Sequence, residues 1–326
     1  MKLHKIYILF ILFAVSACVQ EEDDFEVVSS NDVYAKDSNI ETLLKELKPD
    51  PIINFTYANE NEFPLTQPLS LATNERIQCL LTPLSFLDRN GNIYRNKVNV
   101  SIEYLNLPQD FLRNGLNTQD RNKHLIKFDF AIRLIFTDNK GYRLDLVEEG
   151  MEVTMVSEGD FLSNEVYSLD DPSSYPIYWK VHPLKEKMNV QSRTISENGE
   201  TLFAYDFIMK NNQWIAFGSP SDYEEIMELC LETDMGLNVR DKTMAYGIVP
   251  TDGIQVLQFS ADTNENYFCN NNYPSNATVK LVLCSMDNYV EYFYHESILR
   301  DNADNYLEIM QESSSLQDML SRLSAI

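Results

Sequence analysis

Few residues of this 326-residue chain have types and spacings that do chemistry, and the thiols come first. They are Cys18, Cys79, Cys230, Cys269 and Cys284. None lies within the short Cys-x-x-Cys spacing of a zinc site, so no metal or other cofactor is expected. The four after Cys18 allow three pairings in an oxidising compartment, and Cys269 with Cys284 is the first to test, because each flanks the same hairpin-like connection. The alternative is four buried thiols packing as small hydrophobes. Beyond residue 17, histidine occurs only at His124, His182 and His295, each isolated from a nucleophile or ligand set. His295-Glu296 reads as a surface pair at a strand end. No metalloprotease, nucleophile-elbow, phosphate-loop or dinucleotide signature is present. A glycosidase-type carboxylate pair depends on spacing in the fold, which 50 acidic side chains leave open, so no catalytic residue is assigned. The remaining chemistry is aromatic. Tyr175, Tyr178 and Trp179 sit in a proline-bounded loop and offer faces on which a sugar ring stacks, or else pack inward. Trp214, inside an alternating strand, reads as core.

Cys18 stands apart because of what surrounds it. Lys2 and Lys5 precede an apolar run from Ile6 to Val15, the small residues Ser16 and Ala17 follow, and Gln20-Glu21-Glu22-Asp23-Asp24 comes after the cysteine. Roughly ten apolar residues are too few to span a hydrocarbon core that needs about twenty, so residues 1–17 read as a cleaved secretory signal. Val15-Ser16-Ala17-Cys18 resembles the lipobox of bacterial lipoproteins. That resemblance implies a diacylglyceryl group, with further acylation of the palmitate type, on a cysteine that becomes the first residue of the mature protein. Two or three acyl chains hold a protein on a membrane essentially permanently. The run Glu21 to Asp24 resembles the export tag of surface-exposed lipoproteins of the Bacteroidota, its plainer reading being a solvated linker. Val19 is compatible with outer-membrane sorting. The implied location is the outer membrane, lipid-anchored and exposed at the cell surface. The formal charge of −24 repels phosphate backbones and anionic headgroups alike, which excludes nucleic acid as a partner and leaves the lipid as the membrane contact.

The elements that position these residues follow from periodicity. Residues 18–51 form the tether, ending in a helix: Ser38 and Glu41 have capping-box spacing, Ile40, Leu43, Leu44 and Leu47 share a face, and Pro49 and Pro51 stop it. From residue 52 the pattern alternates. Val98, Val100, Ile102 and Tyr104 share one face, as do Phe128, Phe130, Ile132, Leu134 and Phe136. Asp88-Arg89-Asn90-Gly91 and Asp138-Asn139-Lys140-Gly141 read as turns; for the first, a hairpin is preferred to the start of a calcium loop. A first β-sandwich is expected over 52–158, a linker over 159–183, a second β domain over 184–296 and a helical tail over 297–326. In that tail, Leu307, Met310, Leu320 and Leu323 have helical spacing, interrupted by Ser313-Ser314-Ser315. The fold class is all-β: two antiparallel β-sandwich domains with a short N-terminal helix and a C-terminal helix.

The segment from Leu71 to Ser157, with its two Asp turns and Asp110-Phe111-Leu112-Arg113-Asn114-Gly115-Leu116-Asn117-Thr118 between them, resembles the ZU5-like, carboxypeptidase-regulatory-like β-sandwich of large Bacteroidota lipoproteins. In that family a Trp-bearing segment follows the sandwich, and Gln213-Trp214-Ile215-Ala216 takes that place here. Where the family has glycine before the tryptophan and Asn-Xaa-Asp after it, this chain has Gln213 and Ala216-Phe217-Gly218. The resemblance implies a fold and no catalytic residues. The expected function is a lipid-anchored, non-catalytic structural or interaction module with an envelope protein as partner. The alternatives are a surface glycan-binding lipoprotein or a fimbrillin-like fimbrial subunit.

Overall fold

A twelve-residue strand, β6 (Ile126–Thr137), organises the molecule. The computed structural model describes residues 39–51, 53–58, 65–70, 76–82, 84–147, 150–157, 165–169, 178–181, 191–197, 200–209, 213–233, 242–261, 267–287, 291–300 and 304–326. In the first sheet β6 lies in the order β1 (Ile53–Ala58), β5 (Lys97–Leu105), β6, β13 (Trp214–Pro220), β9 (Glu165–Leu169) and β10 (Lys180–Val181). A second sheet runs β11 (Gln191–Glu197), β12 (Glu200–Met209), β8 (Met151–Ser157), β3 (Arg76–Leu81) and β2 (Leu65–Ser70). The two enclose a core that includes Val100, Ile132, Leu134 and Phe217 from the first and Ile77, Met155 and Phe207 from the second. A short ribbon, β4 (Phe86–Leu87) with β7 (Asp145–Leu146), adds Phe86 and Leu146 to this core.

The third sheet has the order β20 (Tyr306–Ile309), β14 (Ile226–Thr233), β17 (Tyr267–Pro274), β16 (Val256–Ala261), β15 (Thr243–Ile248), β18 (Val279–Asp287), β19 (Glu291–Leu299) and β21 (Glu312–Ser314). Its outermost strands, β20 and β21, are separated by only Met310 and Gln311. Three Cα steps reach about 11 Å. The sheet therefore curls until its two edges meet in one continuous strap. β20 pairs parallel with β14, β21 pairs antiparallel with β19, and His295 Nδ1 contacts the Met310 carbonyl at the crossing, 2.9 Å away. Leu229, Leu231, Phe259, Leu281 and Leu283 fill the inside of the curl.

The expected helical tail is corrected here. Tyr306–Ile309 and Glu312–Ser314 are strands, and only α3 (Leu316–Ser324) is helix in this stretch. The three serines do not interrupt it: Ser315 is its N-cap, accepting the Asp318 N–H on Oγ at 3.1 Å. At the other end, α1 (Asn39–Leu47) matches expectation, with Leu43 and Leu47 wholly buried. The helix lies on β18, and it is clamped by Arg113 Nε donating to the Leu47 carbonyl at 2.9 Å and by the Tyr292 hydroxyl donating to Glu46 at 2.5 Å. Lys48 adds an ion pair to Glu103 at 2.6 Å, and Glu103 also takes Arg133. Between the helices stands α2 (Pro108–Arg113), whose Asp110 accepts the Leu107 N–H at 3.1 Å. No helix among the described residues is long and apolar enough to cross a membrane.

The expected linker over 159–183 does not separate two sets of sheets. It contributes β9 and β10 to the first sheet, and β11, β12 and β13, expected in the second domain, complete the sandwich. Both β regions then share one core. Phe128, Tyr167 and Trp214 of the first sheet, Tyr246, Val282 and Tyr294 of the third, and the buried faces of the three helices belong to a single apolar cluster.

One residue of β6 makes this sharing work. Opposite β13 the register runs Phe217 to Phe130 and then Gly218 to Phe128, leaving Asp129 as an extra residue. This bulge reverses the side on which the strand's side chains fall. Phe130, Ile132, Leu134 and Phe136 point into the sandwich, whereas Phe128 and Ile126 turn to the shared core. The expectation that all five apolar residues share a face holds for the last four only. Gly218 permits the bulge by close approach: a Cβ there would stand 2.4 Å from the Lys127 carbonyl oxygen and 2.6 Å from Phe128 Cδ1.

Candidate functional site

Where the first and third sheets meet, the chain passes through a buried polar seam. Phe128 and Ile254 exchange backbone hydrogen bonds of 3.0 and 2.7 Å. Beside them Asn117, Thr118 and Gln119 are inserted between β6 and β16. Thr118 N–H donates to the Val256 carbonyl at 2.8 Å, and its Oγ1 accepts the Val256 N–H at 2.9 Å. Gln119 Oε1 accepts from the Gln258 N–H at 2.9 Å and from Asn270 Nδ2 at 3.2 Å, while Asn117 Nδ2 donates to Gln258 Oε1 at 2.8 Å. Each of these side chains is buried, so the bonds replace water that none of them can reach. Asn117 and Thr118 belong to the stretch singled out for its resemblance, but their role is to join the two β regions.

Directly after this seam the chain makes a turn that the sequence reading missed. Asp88 Oδ1 accepts the N–H groups of Asn90 and Asn92 at 2.9 and 2.8 Å, and Asp138 Oδ1 accepts those of Lys140 and Tyr142, each at 2.8 Å. Both are the expected turns, with Gly91 and Gly141 at positive φ as the fourth residue. For Asp88 these backbone donors hold the carboxyl below its ordinary value. Asp120 Oδ1 accepts from Asn122 and His124 in the same way, each at 2.8 Å, with Lys123 at φ 64° where the others have glycine. Asp120-Arg121-Asn122 repeats Asp88-Arg89-Asn90, but without the glycine the position of positive φ is unmarked. An L side chain in the left-handed region is strained. Lys123→Gly is expected to stabilise the protein by about 0.5–1 kcal/mol, read as a higher denaturation midpoint at unchanged slope. A lower midpoint would contradict the strain.

The Asp120–His124 turn borders a cleft of about 460 Å³. Its other walls are Glu165 and Tyr167 of β9, Val181 of β10, the link from Pro220 to Ile226, and Asn272 of β17, so both β regions build it. Three of its polar donors are already engaged within the protein. The Tyr167 hydroxyl donates to Glu165 Oε2 at 2.9 Å, the Tyr223 hydroxyl donates to Gln255, and Asn272 Nδ2 donates to the Asn122 carbonyl at 2.9 Å. Burial, reinforced by the Glu165 carboxylate, pushes the Tyr167 phenol far above its ordinary value, and burial also raises Tyr223. Both phenols therefore stay protonated at neutral pH. His124 Nδ1 lies 3.3 Å from Asp120 Oδ2 at the exposed lip. The cleft combines apolar walls with carboxylate acceptors, which suits binding by contact and hydrogen bonding. Among the described residues, no group of three or more His, Cys, Asp or Glu is placed to hold a metal ion.

Of the residues of the expected aromatic platform, Trp179 offers no free face. Trp179 is fully buried, its Nε1 donating to the Asn117 carbonyl at 2.7 Å and its ring set edge-on to Phe128 at 4.9 Å. Tyr178 is half-buried and hydrogen-bonded to Ser260. Tyr175 lies outside the described residues, as does Cys18 with the leader and the acidic run. Trp214 is core as expected, with the Arg133 guanidinium 4.7 Å from its ring centroid.

The expected disulfide is also corrected. Cys269 bonds Cys230, not Cys284: the two sulfurs are 2.06 Å apart and the two residues face each other across β17 and β14. Cys269 and Cys284 are three strands apart in the sheet, roughly 14 Å at the usual strand spacing, beyond the reach of a disulfide. Cys79 and Cys284 are free and buried, and burial pushes both thiols up to about 12, so neither is a nucleophile at neutral pH. Comparison with protein-family models, with curated proteins and with solved structures found no match.

Proposed function

We propose that the chain is a lipid-anchored module of the bacterial outer membrane that acts at the cell surface by binding a protein partner rather than by catalysis. The observation that carries this reading is Val15-Ser16-Ala17-Cys18 at the end of a short apolar run, with the four acidic residues Glu21 to Asp24 beginning three positions after the cysteine. The Cys230–Cys269 bond supports export, since structural disulfides form and persist in oxidising compartments. A tether would have a firm point of attachment, because α1 is seated in the shared core by two wholly buried leucines. The kin group this suggests is the Bacteroidota surface lipoproteins with carboxypeptidase-regulatory-like sandwiches.

Growth with a clickable palmitate analogue tests the anchor. The native chain is expected to take the label and sediment with outer membranes, and Cys18→Ala is expected to lose the label. A Cys18→Ala protein that is still labelled contradicts the proposal. Shaving intact cells with protease then tests surface exposure, for which survival of the full-length chain is the contrary result.

A further inference from the structure

We infer that the cleft beside the Asp120–His124 turn receives a basic side chain from an extended segment of a protein partner. Its aliphatic stem would lie on the apolar wall, and its charged head would meet the carboxylates of Glu165, Asp222 and Asp120. This rests on the interaction-module reading above and names the partner's chemistry. Val181 and Ile226 line the cleft yet remain 53 % and 54 % exposed, so apolar surface on both is left for an occupant to cover. The volume of about 460 Å³ lies within the range of about 300–1,000 Å³ typical of ligand clefts.

Charge decides what kind of occupant fits. The hydroxyls of Tyr167 and Tyr223 and the amide of Asn272 are spent on Glu165, Gln255 and Asn122, whereas Glu165 and Asp222 stand exposed at the opening as acceptors. An occupant that brings its own donors and a positive charge complements this lining, and a carboxylate or phosphate does not. The chain's formal charge of −24 acts in the same direction at long range, attracting basic partners and repelling acidic ones. Lysine and arginine join an apolar stem to a charged donor head, which matches a cleft that is apolar in its walls and acidic at its mouth.

The test is calorimetric titration of the whole mature chain with an acetylated, amidated Val-Lys-Val-Arg-Val-Lys peptide and with its analogue in which glutamate replaces every basic residue. The basic peptide is expected to bind, more weakly at higher salt, and the acidic one not to bind. A Glu165→Gln/Asp222→Asn variant is expected to weaken binding by about tenfold, and Ile226→Arg to abolish it. All three substitutions are at exposed positions, and an unchanged circular dichroism spectrum verifies the fold. The inference is overturned if the basic peptide does not bind, if the acidic one binds equally, or if both variants bind as the native chain does. It is also overturned if a neutral polysaccharide gel retards the native chain but not Ile226→Arg, since the cleft would then hold a glycan. Failure of the Cys18 labelling test would remove the anchor and leave these outcomes unaffected.

Discussion

Replacing Phe128 with alanine is expected to lower the stability of the protein by about 4 kcal/mol, the middle of the range for deletion of a buried aromatic. Its ring is fully buried, with the centroids of Trp179, Tyr167 and Phe111 at 4.9, 5.4 and 6.0 Å. These partners come from the expected linker, from β9 and from α2. Removing the ring therefore opens a cavity where the first sheet, the helices and the third sheet meet, and repacking from one side cannot fill it. The backbone of the same residue is held by Ile254 through two hydrogen bonds, so it anchors the seam twice. Urea denaturation followed by circular dichroism measures the loss. A loss below about 1 kcal/mol, the scale of a substitution outside a core, would show that Phe128 is not central to the seam.

Opening the Cys230–Cys269 bond is the second large effect. The cysteines are 39 residues apart, and the chain-entropy relation gives about 4 kcal/mol for a loop of that length. The bond joins β14 to β17, and β14 also carries β20, the first half of the strap that closes the curled sheet. Loss of the cross-link therefore frees more than one strand pair. Cys230→Ala/Cys269→Ala, or mild reduction of the native chain, is expected to lower the denaturation midpoint sharply. Alkylation followed by mass spectrometry should find Cys79 and Cys284 unmodified in the folded protein, because both are buried with thiols raised to about 12. A reduced protein as stable as the oxidised one would contradict the role given to this bond.

The parts of the fold legible in the sequence were those governed by a single local rule. β5 and the latter part of β6 bury one face and wet the other, and the period of two exposes them. The turns at Asp88 and Asp138 could be read because glycine marks the position that needs positive φ. Asp120–His124 makes the same hydrogen bonds, but Lys123 removes the mark, and with it went the clearest pointer to the cleft. β17 hides for a related reason: it carries Asn270-Asn271-Asn272, a residue type depleted in strands, yet Asn270 is wholly buried and donates to Gln119 and to the Gln258 carbonyl.

Other features depend on contacts distant in sequence. The Asp129 bulge is specified by the close approach of Gly218, some ninety residues away, and nothing within β6 announces it. The disulfide pairing follows from strand order, which spacing along the chain does not give. In the strap, Leu307 and Met310 have helical spacing, but pairing with β14 and β19 makes 306–309 and 312–314 strands. Trp179 looked like a loop aromatic because its burial partner Phe128 and its hydrogen-bond acceptor Asn117 both lie more than fifty residues before it.

The seam that builds the cleft joins the two β regions into one cooperative body, and scanning calorimetry of the native chain and of Phe128→Ala is the decisive measurement. A single transition is expected, with calorimetric and van't Hoff enthalpies in agreement, and the substitution is expected to move that whole transition to lower temperature. Two resolved transitions, with Phe128→Ala shifting only one of them, would contradict it.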